Sequence, residues 1–418
     1  MNYVAEVIAV GTELLLGGTV NTDARDVSLL LSELGINVFF HTVVGDNPQR
    51  LKQAVEIAKS RADIIITTGG LGPTYDDLTK QTLAEAFGKK LIYNEDEAEK
   101  IREFFRQRHR NMSMTENNLR QAEMPEDCVI FDNGVGTAPG CAFEAEGKHI
   151  LMLPGPPREC RAMLSACVDP YLRKLSESEI RSHTIHIFGL GESAVEATLH
   201  DLMEKMQNPS LAPYAKEGEV MLRLTAKAAS KEQADELMDP VLTEVREKLG
   251  DIIYGIDTGS LENTVIDLLT QRDISIATAE SCTGGLLAKR LTDIPGASNV
   301  FLGGVVAYSL QSKTVLLGVD QELTNMKGAI SREVALSMAE GARKKFGSDI
   351  GIGITGAAGP DGDGSGTEPG IVFVALTASG GSFCRSLKLS GDRERIRTGS
   401  VSNALDMVRR FLTDLPVV

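Results

Sequence analysis

Apolar and polar positions alternate in two rhythms along the first 170 residues. Short apolar runs at AEVIAVG (5–11), INVFFHTVVG (36–45) and DIIITTGG (63–70) predict strands. Between them, TDARDVSLLLSELG (22–35) and QRLKQAVEIAKSRA (49–62) repeat apolar residues at helical spacing. This βαβαβ order predicts a parallel, doubly wound sheet with helices on both faces. A further strand, HILMLPG (149–155), runs into PPRECRAMLSACV, where Pro157 suits the first turn of a helix.

The rhythm changes twice more. Residues 171–254 predict a small α+β unit: strand HTIHIFG, helix GESAVEATLHDLMEKM, strand EVMLRLTAKA and helix KEQADELMDPVLTEVREKL. DIIYGIDTGS (251–260) reads as the exit into a linker. From 255 to 418 a second α/β domain begins with helix LENTVIDLLTQRD and strand ISIATAE. Helix CTGGLLAKRLTDIPG, the β-rich NVFLGGVVAYS, helix SREVALSMAEGARKKFG and strands DIGIGITG and GIVFVALTA follow. The expected organisation is therefore three domains, 1–170, 171–254 and 255–418, of α/β class.

Composition narrows the function. With 43 Lys and Arg against 58 Asp and Glu, the formal charge of −15 repels phosphodiester backbones, so no nucleic-acid partner is expected. The densest basic run, RQRHR (106–110), lies on an amphipathic segment and reads as a solvated helix face. Six scattered cysteines form no CxxC pair and no Cys/His zinc spacing. The N-terminal apolar stretch is interrupted by Glu6 and Glu13, and no run approaches the ~18 apolar residues of a membrane span, so no membrane contact and a cytoplasmic location are expected.

Two segments carry candidate chemistry. TAESCTGG (278–285) places Ser281 and Cys282 where a buried strand would end on a turn. All six histidines lie at or before residue 200, so the last domain contains no imidazole to serve as their base. Lysine is the other base that acyl-transfer enzymes recruit, and VVAYSLQSK (305–313) offers Tyr308 and Lys313 beyond an apolar strand. Gly284 and Gly285 open a helix whose free N–H groups favour an anion. Each part also has a plain structural reading: a serine as helix cap, Cys282 as a packing residue, Tyr308 and Lys313 as surface residues, the loop PDGDGSGTEPG (360–370) as a solvated turn. In the first domain, Gly69, Gly70, Gly72 and Thr74 form a glycine-rich turn able to cradle phosphate at the end of a parallel strand. Asp76 and Asp77 follow, either as helix caps or as ligands for a divalent cation against a pyrophosphate.

TAESCTGG, PGASNVFLGGVVAYSLQSKTVLLGV (295–319), GAIS (328–331) and TGAAGPDG (355–362) together resemble the C-terminal domain of the CinA (competence/damage-inducible) family, a nicotinamide-nucleotide amidase (PncC-like) module. The resemblance implies hydrolysis of nicotinamide mononucleotide to nicotinate mononucleotide and ammonia, without a cofactor. It puts the nucleophile on Ser281, a Tyr/Lys relay on Tyr308 and Lys313, and a substrate-side threonine on Thr355. Thr283, Gly284, Gly285, Gly356 and Arg393 are then expected around the substrate and its phosphate. GTELLLGGTVNTDA (11–24), VVGDN (43–47) and GGLGPTYDD (69–77) resemble the MogA/MoaB-like molybdopterin-binding fold in its CinA version. For this domain the resemblance implies metal-dependent hydrolysis of ADP-ribose to AMP and ribose 5-phosphate. Asp76, Asp77, Glu13 and Asp46, with Asn21 nearby, are the expected polar residues around a divalent metal ion. The family's middle domain resembles a KH module, but GLGES (189–193) supplies no GxxG loop and the flanking helices are acidic, so a spacer and dimer element is expected. A homodimer is the family expectation. The competing reading is a molybdopterin-type binding or competence-related protein whose amidase domain is vestigial.

Overall fold

Four parallel strands, β1 (Val4–Val10), β2 (Asn37–Val44), β3 (Ile64–Thr68) and, later in the chain, Lys148–Leu153, form the heart of the first sheet in this computed structural model. The structure describes residues 3–108, 114–175, 179–216, 218–362 and 366–417. The end of the RQRHR segment and residues 363–365 of the acidic glycine loop lie outside the described residues. Contacts divide the chain into two compact units, residues 1–181 with 227–235, and residues 182–226 with 236–418.

In the first unit, β3 is buried along its whole length, because successive side chains enter different cores. Ile64 and Ile66 pack with Val27 and Leu31 of helix Thr22–Glu33, while Ile65 packs with Leu51 and Val55 of helix Pro48–Lys59. Beyond a two-stranded ribbon, β4 (Leu91–Tyr93) with β5 (Glu123–Pro125), come β6 (Val129–Phe131), β7 (Gly140–Ala145) and β8 (Lys148–Leu153). The sheet order is β2-β1-β3-β8-β7-β6. The sheet is therefore mixed, because β7 and β6 add an antiparallel wing that the periodicity did not predict. Its hairpin turns on Glu146 and Gly147, with φ of 54° and 71°, the conformation a two-residue loop needs. Strand β2 is an edge, with Phe39 and Phe40 exposed.

The middle sheet has four strands, β9 (Glu179–Ile187), β10 (Ser210–Lys216), β11 (Glu219–Ala228) and β12 (Ile253–Ile256), in the order β10-β11-β9-β12. Two of these were not expected. DIIYGID is not a linker exit; residues 253–256 pair antiparallel with β9. Strand β10 contains Pro213, which an edge position tolerates because its missing N–H faces outward.

The last domain is built on β13 (Ile276–Glu280), β14 (Phe301–Val306), β15 (Ile350–Gly356), β16 (Ile371–Ala378) and β17 (Gly381–Lys388), ordered β14-β13-β15-β16-β17. Central β13 is fully buried and runs parallel to β14 and β15, so the carboxyl ends of three strands open together. Helices Leu310–Leu317 and Arg393–Leu412 frame that opening, and neither was predicted. Among the described residues no helix is long and apolar enough to cross a membrane.

Candidate active site

Ser281 is the first residue past β13. Its N–H donates to Ile354 O at 2.9 Å, which ties the turn to neighbouring β15. The turn then passes through Gly284 and Gly285, with φ of 60° and 91°, a backbone that a side chain would strain, and enters helix Leu286–Thr292. On the other side of β13, Ser309 and Ser312 form a capping box that starts helix Leu310–Leu317, the Ser312 N–H donating to Ser309 Oγ at 3.1 Å. That helix turns Lys313 inward. The lysine is 2% exposed, and its Nζ donates to Ser281 Oγ at 2.9 Å and to Ala307 O at 3.0 Å. Burial lowers the Lys313 pKa from the ordinary lysine value, against a smaller opposing influence of Cys282. A buried amine of this kind can shed its proton and take one from the serine.

Cys282 is also buried, and burial pushes its thiol up to about 11, so it stays protonated near neutrality. Tyr308 is 63% exposed, and its hydroxyl accepts a hydrogen bond from Arg393 Nη2 at 3.0 Å. Because Lys313 reaches Ser281 directly, Tyr308 does not stand between them as a relay; it stands with Arg393. Arg393 also donates from Nη1 to Gly359 O at 2.7 Å. Thr355, at the end of β15, is buried and donates its hydroxyl to Ala329 O at 2.9 Å, with Gly356 following in the strand.

The expectation of a phosphate on the Gly284–Gly285 amides needs correction. The buried carboxylate of Glu280 reaches across the turn and accepts the N–H groups of Gly285 (3.1 Å), Leu287 (3.0 Å) and Ala288 (2.9 Å). The Gly284 N–H donates to Ser281 O at 3.1 Å. An internal anion already satisfies the helix start, so an external one must find other donors. Arg397, which the sequence reading missed, is one: its Nη2 donates to Thr283 O at 2.7 Å. It lies one helical turn from Arg393, and i,i+4 spacing after the Asp392 cap was the signal that could have found it. Among the described residues both guanidinium groups pair only with neutral oxygens. The Thr283 hydroxyl is buried without a partner.

The first domain carries a second site. A cleft of about 570 Å³ opens at the carboxyl ends of β1, β3 and β8 and is lined by Gly69, Gly70, Gly72, Thr74, Asp76, Asp77, Glu13 and Asp46. Gly69 has φ of 93°, and a Cβ there would sit 2.1 Å from Val10 O, so only glycine fits. The Thr74 hydroxyl lies 2.6 Å from Asp76 and 2.5 Å from Asp77, and the Thr74 N–H donates to Asp77 at 2.8 Å. The Thr74 hydrogen bond holds the Asp76 carboxyl below its usual range. Neither aspartate caps the following helix, whose cap residue is Leu78. Asp46 accepts from the N–H and hydroxyl of Thr12 at 2.9 and 2.8 Å. Asn21 is spent as a helix cap, accepting the Ala24 N–H at 3.0 Å. Gln121 and Glu159 also line the cleft and were not anticipated. Among the described residues no three His, Cys, Asp or Glu side chains converge to hold an ion by themselves. An all-oxygen set of this kind suits a hard cation that takes one or two carboxylates and completes its shell with water and substrate phosphate.

Residues 258–412 match the family model of the CinA C-terminal domain, 6–174 that of a probable molybdopterin binding domain, and 182–255 that of the damage-inducible protein CinA KH domain. A CinA-like protein of Dictyoglomus turgidum is 47% identical over 410 residues, covering 98% of this chain and 99% of its own. A putative competence-damage inducible protein of Acetivibrio thermocellus is 47% identical over 411 residues, with coverage of 98% and 99%. Among solved structures, a CinA protein of unknown function from Thermoplasma acidophilum is 36% identical over 40% of this chain and 98% of its own, with a TM-score of 0.38. The molybdopterin biosynthesis enzyme MoaB from Thermus thermophilus is 21% identical over 41% of this chain and 93% of its own, with a TM-score of 0.29.

Proposed function

The chain belongs to the CinA family, and from that premise we propose that its last domain hydrolyses the carboxamide of nicotinamide mononucleotide, giving nicotinate mononucleotide and ammonia. One observation carries this reading: a buried amine 2.9 Å from a buried serine hydroxyl in a domain without histidine. Neutral Lys313 takes the Ser281 proton as Oγ attacks the amide carbon. The resulting ammonium returns that proton to the departing nitrogen, which leaves as ammonia. Water then attacks the acyl ester, Lys313 takes one proton from the water and returns it to Ser281 Oγ as the ester bond breaks, and the acid so formed leaves as its carboxylate, its proton passing to solvent. Arg393 and Arg397 are the cations available to the mononucleotide phosphate. The intact Ser281–Lys313 contact counts against a vestigial domain.

The same proposal gives the first domain hydrolysis of ADP-ribose to AMP and ribose 5-phosphate. Its support is the cleft that joins a glycine turn to carboxylates at the ends of parallel strands. One or two of the carboxylates of Asp76, Asp77, Glu13 and Asp46 would hold a divalent cation, its shell completed by water and substrate phosphate, and it would supply charge neutralisation at the pyrophosphate when bound. The glycine turn and Thr74 would position the phosphates. Partners are then small nucleotides rather than nucleic acid or membrane, in the cytoplasm. A homodimer belongs to the same reading, with the middle domain as its spacer and dimer element.

The test of the amidase is direct. Ser281→Ala in the full chain abolishes ammonia release from nicotinamide mononucleotide, whereas Cys282→Ala leaves most of it. The reverse result refutes the assignment.

A further inference from the structure

Glu280 is a charged residue in an unusual place. It is the last residue of a central strand, 1% exposed, and among the described residues no Lys or Arg pairs with it. A buried carboxylate is strongly unfavourable unless hydrogen bonds replace its water. Here three backbone N–H groups do so, at 3.1, 3.0 and 2.9 Å, at the positive end of helix Leu286–Thr292.

This is more than a helix cap. A cap acts from the residue beside the helix, and that residue is Gly285, which has no side chain to offer. The acceptor comes instead from five residues earlier, so the contact closes a ring around Ser281, Cys282, Thr283 and Gly284. The Glu280 backbone also reaches the base. Its C=O accepts the Ala307 N–H at 2.8 Å, the Ala307 C=O accepts Lys313 Nζ at 3.0 Å, and Lys313 donates to Ser281 Oγ at 2.9 Å. One residue thus fixes the turn bearing the nucleophile by its side chain and the segment bearing the base by its main chain.

We infer that Glu280 is the positioning residue of the amidase site: its carboxylate, held by the amides of Gly285, Leu287 and Ala288, sets the turn that keeps Ser281 against Lys313. By filling those amides it also denies them to the substrate phosphate, which is left to the arginines. The inference rests on the Ser281–Lys313 reading proposed above.

The experiment uses the full chain and two readouts, the rate at which phenylmethylsulfonyl fluoride labels Ser281, followed by mass spectrometry across pH, and kcat and KM for ammonia release. In Glu280→Gln one oxygen still accepts amides while its NH2 faces an N–H donor, so both rates fall, less than in Glu280→Ala, where an ångström of displacement costs about a hundredfold. KM changes little. The pH limb contributed by Lys313 also flattens, an effect that a smaller folded fraction does not produce. If Glu280→Ala does not fold, Glu280→Gln, checked by circular dichroism, carries the test. A folded Glu280→Gln with wild-type labelling rate and pH profile overturns the inference. Wild-type protein that labels at Ser281 but releases no ammonia overturns the substrate reading alone, and the labelling arm still judges Glu280. Wild-type protein that does not label at Ser281 overturns both.

Discussion

Burial favours the neutral form of Lys313, the form that a general base requires. Desolvation penalises the ammonium, so its pKa in the fold lies below the lysine reference of 10.5. Only the neutral amine can accept the Ser281 proton. The rate therefore rises with pH through that depressed pKa and is lost as pH falls below it, and kcat/KM measured across pH reads this limb directly. Lys313→Arg keeps the charge but cannot deprotonate, and should cost on the order of 10²–10⁴ in kcat. A variant retaining wild-type kcat would remove lysine from the mechanism. At this scale Ser281 and Lys313 could be named as candidates, because their domain has no histidine, but it was the resemblance to the CinA C-terminal domain, not the residue pattern, that paired them. Glu280 and Arg397 were not legible, although Glu280 lies within the same motif. Their partners are peptide groups, which every residue carries and no side-chain pattern advertises.

Elements were legible where one rule governed them. Buried strands such as β3 announce themselves by apolar runs, and amphipathic helices by their period. Edges were less visible: β10 carries a proline, β12 is four residues long, and β17 alternates exposure. The helix Leu310–Leu317 hid for a different reason. Its charged residue faces inward while Leu310 and Val315 face out, which inverts the amphipathic pattern. A helix of eight residues has little intrinsic stability, so its cap matters. Ser309→Ala removes the acceptor of the Ser312 N–H and should cost about 1 kcal/mol. Hydrogen exchange should then quicken in peptides covering 310–317, kcat should fall with the looser lysine, and exchange in the first domain should stay unchanged. Unaltered exchange across 310–317 would show that packing alone holds this helix.

On the scale of the whole chain, the two proposed chemistries make different electrostatic demands on one strongly acidic protein. The proposed amidase site would draw its base from Lys313 and offer Arg393 and Arg397 to a single phosphate. The first-domain cleft is lined by carboxylates, and the proposed substrate brings a pyrophosphate to them. Like charges at such spacing repel strongly where water is partly excluded, so productive binding there requires a cation between carboxylate and phosphate. The two activities should therefore separate under chelation. EDTA should abolish ADP-ribose hydrolysis, restored by excess divalent metal, while ammonia release from nicotinamide mononucleotide continues. Asp77→Asn should weaken the metal dependence and the hydrolysis together, with Ser281→Ala leaving both intact. The glycine turn allows a backbone contribution to phosphate binding, so some affinity for ADP-ribose should survive EDTA even as turnover stops. Hydrolysis indifferent to chelation would defeat the metal assignment, because no other cation has been found among the residues lining the cleft.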